Sequence, residues 1–420
     1  MKSNYKKIGS FVRQVSNRNT DLSVTNLKGI NINKEFMPSV ANINGTDLSK
    51  YKVVKKGQFA FNPMHVGRDE MLPIALWLEN DPIIVSPAYI VFEVVDESLL
   101  DPEYLMMWCS RKEFDRNCWF TTDSSVRGGF SWQEFSEIQL LLPAIHAQKK
   151  VVSQFNKLKQ NINILSGNLI NIDELGLAIY KQWFEEFEFP ITKELALELN
   201  CLELEGSPYK SSHCKLIYSE NLGKEIPVIF EELSIKEFCA DMKNGATPKR
   251  DISEYWNPPE VNWLKTGEIY NNIIFNSEEK ISILGFKKSS TQLLPPDTVL
   301  MAMYGATAAQ LAILKIESTT NQACCAMICK NSKESAYLYY RLLSEQSEIK
   351  RQAIGGAQEN LSKALIEKLP IFSLNHFSPS INLFEKLIQY KAYLTKEIIM
   401  LQEFTNIILS KLAVTRGNEE

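Results

Sequence analysis

The sequence predicts an α/β (α+β) chain made of two pseudo-repeated globular domains, separated by two long helices that form an antiparallel intramolecular coiled coil. Three observations predict this: a heptad seam in the middle of the chain, a second seam at its end, and self-similarity upstream of both.

The chain has 420 residues, enough for two or three cores. Its 45% hydrophobic and 23% charged content is ordinary for soluble globular protein. No run nears the roughly 18 apolar residues of a membrane span. MKSNYKKIGSFVRQ has no apolar stretch behind its basic residues, so no secretory signal is expected. Eight cysteines without such a signal point to reduced thiols in the cytoplasm. Neither Cys324–Cys325 with Cys329 nor His213 beside Cys214 has metal-site spacing, and no metal is expected. A net charge of −4 argues against a bulk polyanion binder. Residues 1–56 nevertheless hold eleven Lys or Arg against three acids (Asp21, Glu35 and Asp47), the local balance of a phosphate-facing surface.

The first domain is assigned to 1–145. KGQFAFNP (56–63) and DPIIVSPAYIVFEVV (81–95) read as strands and hairpins, and a short amphipathic helix follows near 101–115. The first long helix is assigned to 146–190. Its apolar positions Val151, Phe155, Leu158, Ile162, Leu165, Leu169, Ile172, Ile179 and Trp183 step by four and three, with only Gly176 out of place. A linker is assigned to 191–225, because GSPYKSSHCKLIYSENLGKEIP (206–227) is polar, turn-rich and closed by Pro227. The second domain is assigned to 226–375, with DTVLMAMYGATAAQLAILKI (297–316) as its strands and a helix near 334–350. The second long helix, 376–416, carries Phe384, Leu387, Leu394, Ile398, Leu401, Ile408 and Leu412.

Laying Phe155 on Phe384 sets Leu158 on Leu387, Leu165 on Leu394, Leu169 on Ile398, Ile172 on Leu401 and Ile179 on Ile408. Lys391 falls opposite Ile162, and Thr405 opposite Gly176. Upstream, FSWQEFSEIQLLLP (130–143) lies on LSKALIEKLPIFSL (361–374), and DPEYLMMW (101–108) on ESAYLYYR (334–341). SPAYIVFE (86–93) lies on NQACCAMI (321–328), KGQFAFNP (56–63) on PPDTVLMA (295–302), and Gly128–Gly129 answers Gly355–Gly356. Each seam must be buried, and pairing the two helices needs no second chain. Residues 151–183 would run about 50 Å at 1.5 Å per residue. Such a pair is expected to act as a ruler between two heads, which suits DNA with two half-sites.

At this point the sequence resembles the specificity (S) subunit of Type I restriction–modification systems, over essentially the whole chain. The runs Ser131–Leu142 and Leu361–Leu374 carry the resemblance. So do Gly245–Ala246–Thr247–Pro248, Tyr255–Trp256 and Trp263–Leu264, which fit the opening of a recognition domain in that family. Val228, Ile229 and Phe230 stand where a Gly-Trp is usual, and the first half lacks the Gly-x-Thr-Pro signature. The resemblance implies two target recognition domains, each reading half of a bipartite double-stranded DNA site, with spacer helices fixing the spacing. It also implies two methyltransferase (modification) subunits on those helices. These carry S-adenosylmethionine, and ATP and Mg are used where a restriction motor-nuclease subunit joins. No cofactor is expected in this chain itself.

Asn257–Pro258–Pro259 lacks the following aromatic of an adenine methyltransferase, since Glu260 stands there, and no Phe-x-Gly-x-Gly loop accompanies it. No phosphate loop is present, and His65, His146, His213 and His376 are scattered, so no catalysis is expected. DNA contacts are expected from polar or basic residues on turns. In the second domain these are Lys249 and Arg250, the turn Lys265–Thr266–Gly267, Lys287 and Lys288. Tyr304 and Gly305 join them, at a hairpin tip that in the family points toward DNA. The first domain offers Asn62, His65 and Arg68, and Ser125, Arg127 and Gly128. Trp108, Trp119, Trp132 and Tyr104 read as core rather than base-stacking residues. The spacer helices, marked by Phe155, Leu158, Ile162, Leu165, Leus 169, 387, 394 and 401, and Ile398, are the expected subunit-binding elements. Two rivals remain open: a structural adaptor that joins protein partners across a coiled coil, and a self-contained DNA adenine methyltransferase.

Overall fold

The computed structural model describes residues 5–39, 45–64, 66–122, 129–352, 360–374 and 381–412, the side chains of Gly67 and Arg68 excepted. The chain divides into two compact units, Met1–Asn163 with Met400–Glu420, and Ile164–Ile399.

In the first unit, strands Val12–Val15, Ile90–Val94, Gln58–Phe61 and Ile74–Leu76 lie side by side in that order, all antiparallel. Alternation puts Phe59, Phe61 and Phe92 on one face, against a core with Tyr104, Phe114 and Phe135. The other face sets Ala60 and Val91 against Val54, Trp77, Ile83 and Val85. Helix Pro102–Cys109 starts at Asp101, whose carboxylate accepts from the Glu103 and Tyr104 N–H groups. A second helix, Lys112–Thr121, follows, so the single helix expected near 101–115 is two. A Ser131/Glu134 capping box opens Trp132–Glu137. Strand Gln139–Leu141 then pairs with Tyr5–Lys7 and leads into the first long helix, Ile145–Tyr180.

The second unit repeats this plan. Strands Asp241–Asn244, Cys324–Ile328, Val299–Ala302 and Leu311–Leu314 keep the order of the first sheet, and Asn272–Ile274 adds a fifth strand in parallel. The ribbon Glu232–Ser234 with Pro370–Phe372 answers Tyr5–Lys7 with Gln139–Leu141. Ser362 caps Lys363–Lys368 as Ser131 caps its counterpart. Tyr337 is buried in helix Ser332–Ser344, where the alignment set it on the equally buried Tyr104.

One part of the sequence alignment needs a correction. It set Phe59 and Phe61 on Thr298 and Leu300. Phe59 and Phe61 face the core shared with the helices, and so do Val299 and Met301, whereas Leu300 faces the opposite core. The strand matches one residue further along, because a one-residue slip moves every side chain to the other face.

The long helices supply packing residues to both units. In the first, Val152 and Phe155 share a core with Ile408, Leu409 and Leu412. In the second, Leu165, Leu169 and Ile172 share one with Phe384, Leu387, Ile388 and Leu394. Within this second unit the helices run antiparallel, since the Tyr180 ring lies 6.4 Å from that of Phe384 while Asp173, earlier on its helix, bonds Lys391, later on the other. Gly176, the break in the seam, is where the Tyr340 ring lies on the helix. A Cβ there would sit 2.1 Å from the ring.

The first long helix is shorter than the span 146–190. The first ends in a π-helical turn, Lys181–Glu185, before Phe187 turns left-handed at φ 62°. The second runs Asn382–Lys411. The segment 191–225 differs from an open linker. Thr192 caps a helix over Lys193–Glu198, a hairpin joins Leu216–Ser219 to Lys224–Pro227, and Ile191, Leu195, Ala196 and Tyr209 are buried in the second core. Its few apolar residues decide this, because they cover Phe187, Phe189 and Phe230.

Candidate nucleic-acid interface

The interface is best built from Gly245. Its position leaves no room for a side chain, since an added Cβ would lie 1.9 Å from the Thr320 carbonyl oxygen. The close approach lets the Ala246 N–H donate to that oxygen at 2.9 Å. The Trp263 indole N–H donates to the Ala246 carbonyl (3.0 Å) and the Trp256 indole N–H to that of Lys249 (3.0 Å). The two indoles meet edge-on at 5.2 Å. Arg250 covers them, 3.7 Å from the Trp256 ring centre and 4.9 Å from that of Trp263. Its guanidinium donates to Glu279 at 2.5 Å, and Lys265 reaches Glu279 at 2.9 Å and Glu278 at 3.2 Å. Hydrogen bonds from Arg250 and Lys265 hold the Glu279 carboxyl below its ordinary value, and bonds to Glu279 and Glu278 raise Lys265.

The strand Val261–Leu264 runs into a 3-10 turn, Thr266–Glu268. Gly267 is exposed there, with open space where a side chain would project. Glu268 is buried below the turn and accepts from the Lys265 and Glu278 backbone N–H groups, both at 2.9 Å. Burial raises its carboxyl above the ordinary range. At the same strand end the Asn321 N–H donates to the Leu264 carbonyl (2.9 Å) and the Met303 N–H to that of Ala323 (2.8 Å). The Thr247 hydroxyl donates to the Gln322 amide oxygen at 2.6 Å. Thr247, Gln322 and the exposed Tyr304 therefore lie at one end of the five-stranded sheet, with Gly305 (φ 73°) turning the chain beside them. Lys265 and Thr266 follow Leu264 of a second, three-stranded sheet that the Asn321 bond ties to that end. Gln322 was not named from sequence, although it lies in the repeated stretch NQACCAMI.

Lys287 and Lys288 are not brought to this end. They close the helix Ile283–Lys288, which follows Ile281, the partner of Val261 at the far end of the strand. Both are exposed, as is Lys249. Asn257–Pro258–Pro259 forms a bend with a cis Asn257–Pro258 peptide. Beside it the Glu260 carboxylate accepts the Ile283 N–H at 2.9 Å.

In the first unit Asn62 is half-buried and accepts the Met64 N–H at 3.0 Å. Arg68 lies in the short helix Val66–Asp69. His65, Ser125, Arg127, Gly128 and His376 lie outside the described residues, as do Gly355 and Gly356. Several basic residues of 1–56 have internal work. Lys34 is buried, donating to the Cys109 carbonyl and paired with Asp115 at 2.7 Å. Arg13 bonds Glu93, which also accepts from Gln58, a ladder across three neighbouring strands. Lys7 pairs with Glu137 at 2.5 Å. Among the aromatics Tyr104 and Trp108 are buried and Trp132 packs on Phe92 and Phe135. Trp119 differs: it is over a third exposed and leans on the exposed Phe120, because its helix buries the face of Phe114 and Cys118 instead.

The seam residues expected to bind partner subunits turn inward. Phe155, Leu387 and Leu394 are buried, and Leu158, Ile162, Leu165, Leu169, Ile398 and Leu401 are half-buried. The exposed apolar side chains of the second long helix are instead Leu383, Tyr390, Tyr393, Met400, Phe404 and Ile407, a separate stripe at steps of three, four or seven. No helix among the described residues is long and apolar enough to cross a membrane.

Residues 227–372 match the family described as Type I restriction modification DNA specificity domain. Across 87% of its length the chain is 21% identical to the Type I restriction enzyme HindI specificity subunit of Haemophilus influenzae, covering 88% of that protein. It is 30% identical over 141 residues, 33% of this chain and 32% of the relative, to the MjaIX specificity subunit of Methanocaldococcus jannaschii. Its fold is similar to that of a Type I restriction–modification S subunit from M. genitalium, with a TM-score of 0.52 and 12% identity over 97% of this chain and 95% of that one.

Proposed function

We propose, from the premise that this chain belongs to the family of Type I restriction–modification specificity subunits, that it is the DNA-reading subunit of such a complex. Each repeated domain reads one half of a bipartite double-stranded target. The observation that carries this reading is the repeat itself: two sheets of the same strand order, each feeding a long heptad helix. A ligand read by two like domains must itself offer two half-sites.

In the second domain the strand ends of the two sheets that carry Thr247, Lys265, Thr266, Gln322 and Tyr304 face the bases. Lys249, Lys287 and Lys288, all exposed, neutralise phosphates. The chain performs no bond chemistry. Methyl transfer from S-adenosylmethionine belongs to two modification subunits, and ATP and Mg to restriction subunits where these join. The outer stripe from Leu383 to Ile407 is the surface offered to the modification subunits, since exposed apolar stripes of this kind are closed by partners.

The test is to map methylated adenines in the host genome with and without this gene, leaving the modification gene intact. Loss of one bipartite motif is expected. An unchanged methylome, with the complex expressed, would overturn the reading in favour of an adaptor. Affinity for duplex DNA should also fall steeply with salt, which protein recognition would not show.

A further inference from the structure

Lys391 occupies a seam position whose repeat counterpart, Ile162, is apolar. It is 2% exposed, yet each of its three N–H donors has a partner. It bonds the Asp173 carboxylate on the first long helix at 2.6 and 2.7 Å, the Asn271 carbonyl at 2.8 Å and the Tyr339 hydroxyl at 2.8 Å. Asn271 and Tyr339 belong to the body of the second recognition domain. Asn271 is left-handed (φ 61°), and its side chain accepts the Leu311 N–H at 3.0 Å and the Gln346 amide at 2.8 Å. One ammonium thus joins both long helices to the bend that leads into strand Asn272–Ile274 and to the helix Ser332–Ser344, all within one unit.

An apolar residue would suit the seam better for stability alone, because a buried ion pair repays its lost hydration only in part. What the pair adds is uniqueness. Sliding one helix by a heptad, about 10.5 Å, would leave Lys391 and Asp173 buried and unpaired, while the apolar seam residues would find equivalent partners. The same slide would break the bonds to Asn271 and Tyr339.

We infer that Lys391, through Asp173, Asn271 and Tyr339, is a positioning residue: it fixes the helix register and the seat of the second recognition domain on the helices, and so the spacing at which that domain meets its half-site. This rests on the DNA-reading function proposed above.

The experiment maps the methylome with the whole complex carrying Lys391→Met with Asp173→Leu, beside Tyr339→Phe, which keeps the ion pair but cuts one tie to the domain. Both half-site sequences should persist. Methylation at sites with about three base pairs more or fewer between them, the length of one heptad at about 3.4 Å per base pair, should rise at least about tenfold in the double variant, and less in Tyr339→Phe. A merely structural role would lower methylation at the one original spacing without creating others. Folded variants that keep a single spacing overturn the inference, as does a double variant that fails to fold while Tyr339→Phe keeps that spacing. If the unaltered complex gives no bipartite motif, the DNA-reading function itself falls, a distinct result.

Discussion

Two glycines at the residue scale show how backbone proximity rather than turn geometry selects a residue. Gly245 is held against the Thr320 carbonyl and Gly176 against the Tyr340 ring, and neither has a positive φ. Gly245→Ala is expected to cost about 1–3 kcal/mol by forcing the backbone apart. Thermal or denaturant unfolding of the chain would show it, and an unchanged midpoint would contradict the packing described. Glu279 offers a second test. Its folded value lies below the ordinary one, so its bonds to Arg250 and Lys265 stabilise the fold above the ordinary glutamate range. That contribution is lost as pH falls through the lowered value. Trp256 and Trp263, directly under Arg250, report the change: their fluorescence should shift on acidification, and Glu279→Gln should flatten that part of the titration.

The second long helix carries two separable messages at the element scale. The inward seam was legible in the heptad spacing alone, since burial demands that period. The outer stripe of Leu383, Tyr390, Tyr393, Met400, Phe404 and Ile407 was not, because nothing in a periodic helix says which of two apolar stripes an intramolecular partner will cover. Met400→Glu with Phe404→Glu is expected to abolish co-purification with the modification subunits while leaving the fold unchanged. Retained association would remove the stripe as their docking surface. Inserting one heptad in both helices lengthens each by about 10.5 Å. If the helices act as the ruler, the unread spacer should grow by about three base pairs at about 3.4 Å each, with both half-sites intact.

For the whole molecule, the repeat makes the domains exchangeable in principle, since each has its own sheet, core and capped helix leading to a terminal strand. Replacing 227–372 by the corresponding domain of a relative should change one half of the methylated motif and leave the other. A change in both halves would mean that the domains do not read independently. The basic excess of 1–56 shows the limit of arguing from charge at this scale. Lys34 is buried in an ion pair with Asp115, so a count of cations overstates what faces a phosphate.

The sequence by itself determined the repeat, the two heptad helices and the alternation of strands and short helices, because these follow from periodic burial and from local capping that a linear pattern records. It also named Gly245, Trp256, Trp263 and Lys265, though not that Arg250 and Glu279 bind them into one cluster. Only the tertiary structure decided the strand register around Phe59, the inclusion of 191–225 in the second core, the separation of Lys287 and Lys288 from the Lys265 turn, and the partners of Lys391. Each depends on contacts between residues far apart in the chain, and a one-residue shift in pairing or a single buried charge changes which groups meet without altering the periodicity that a sequence displays.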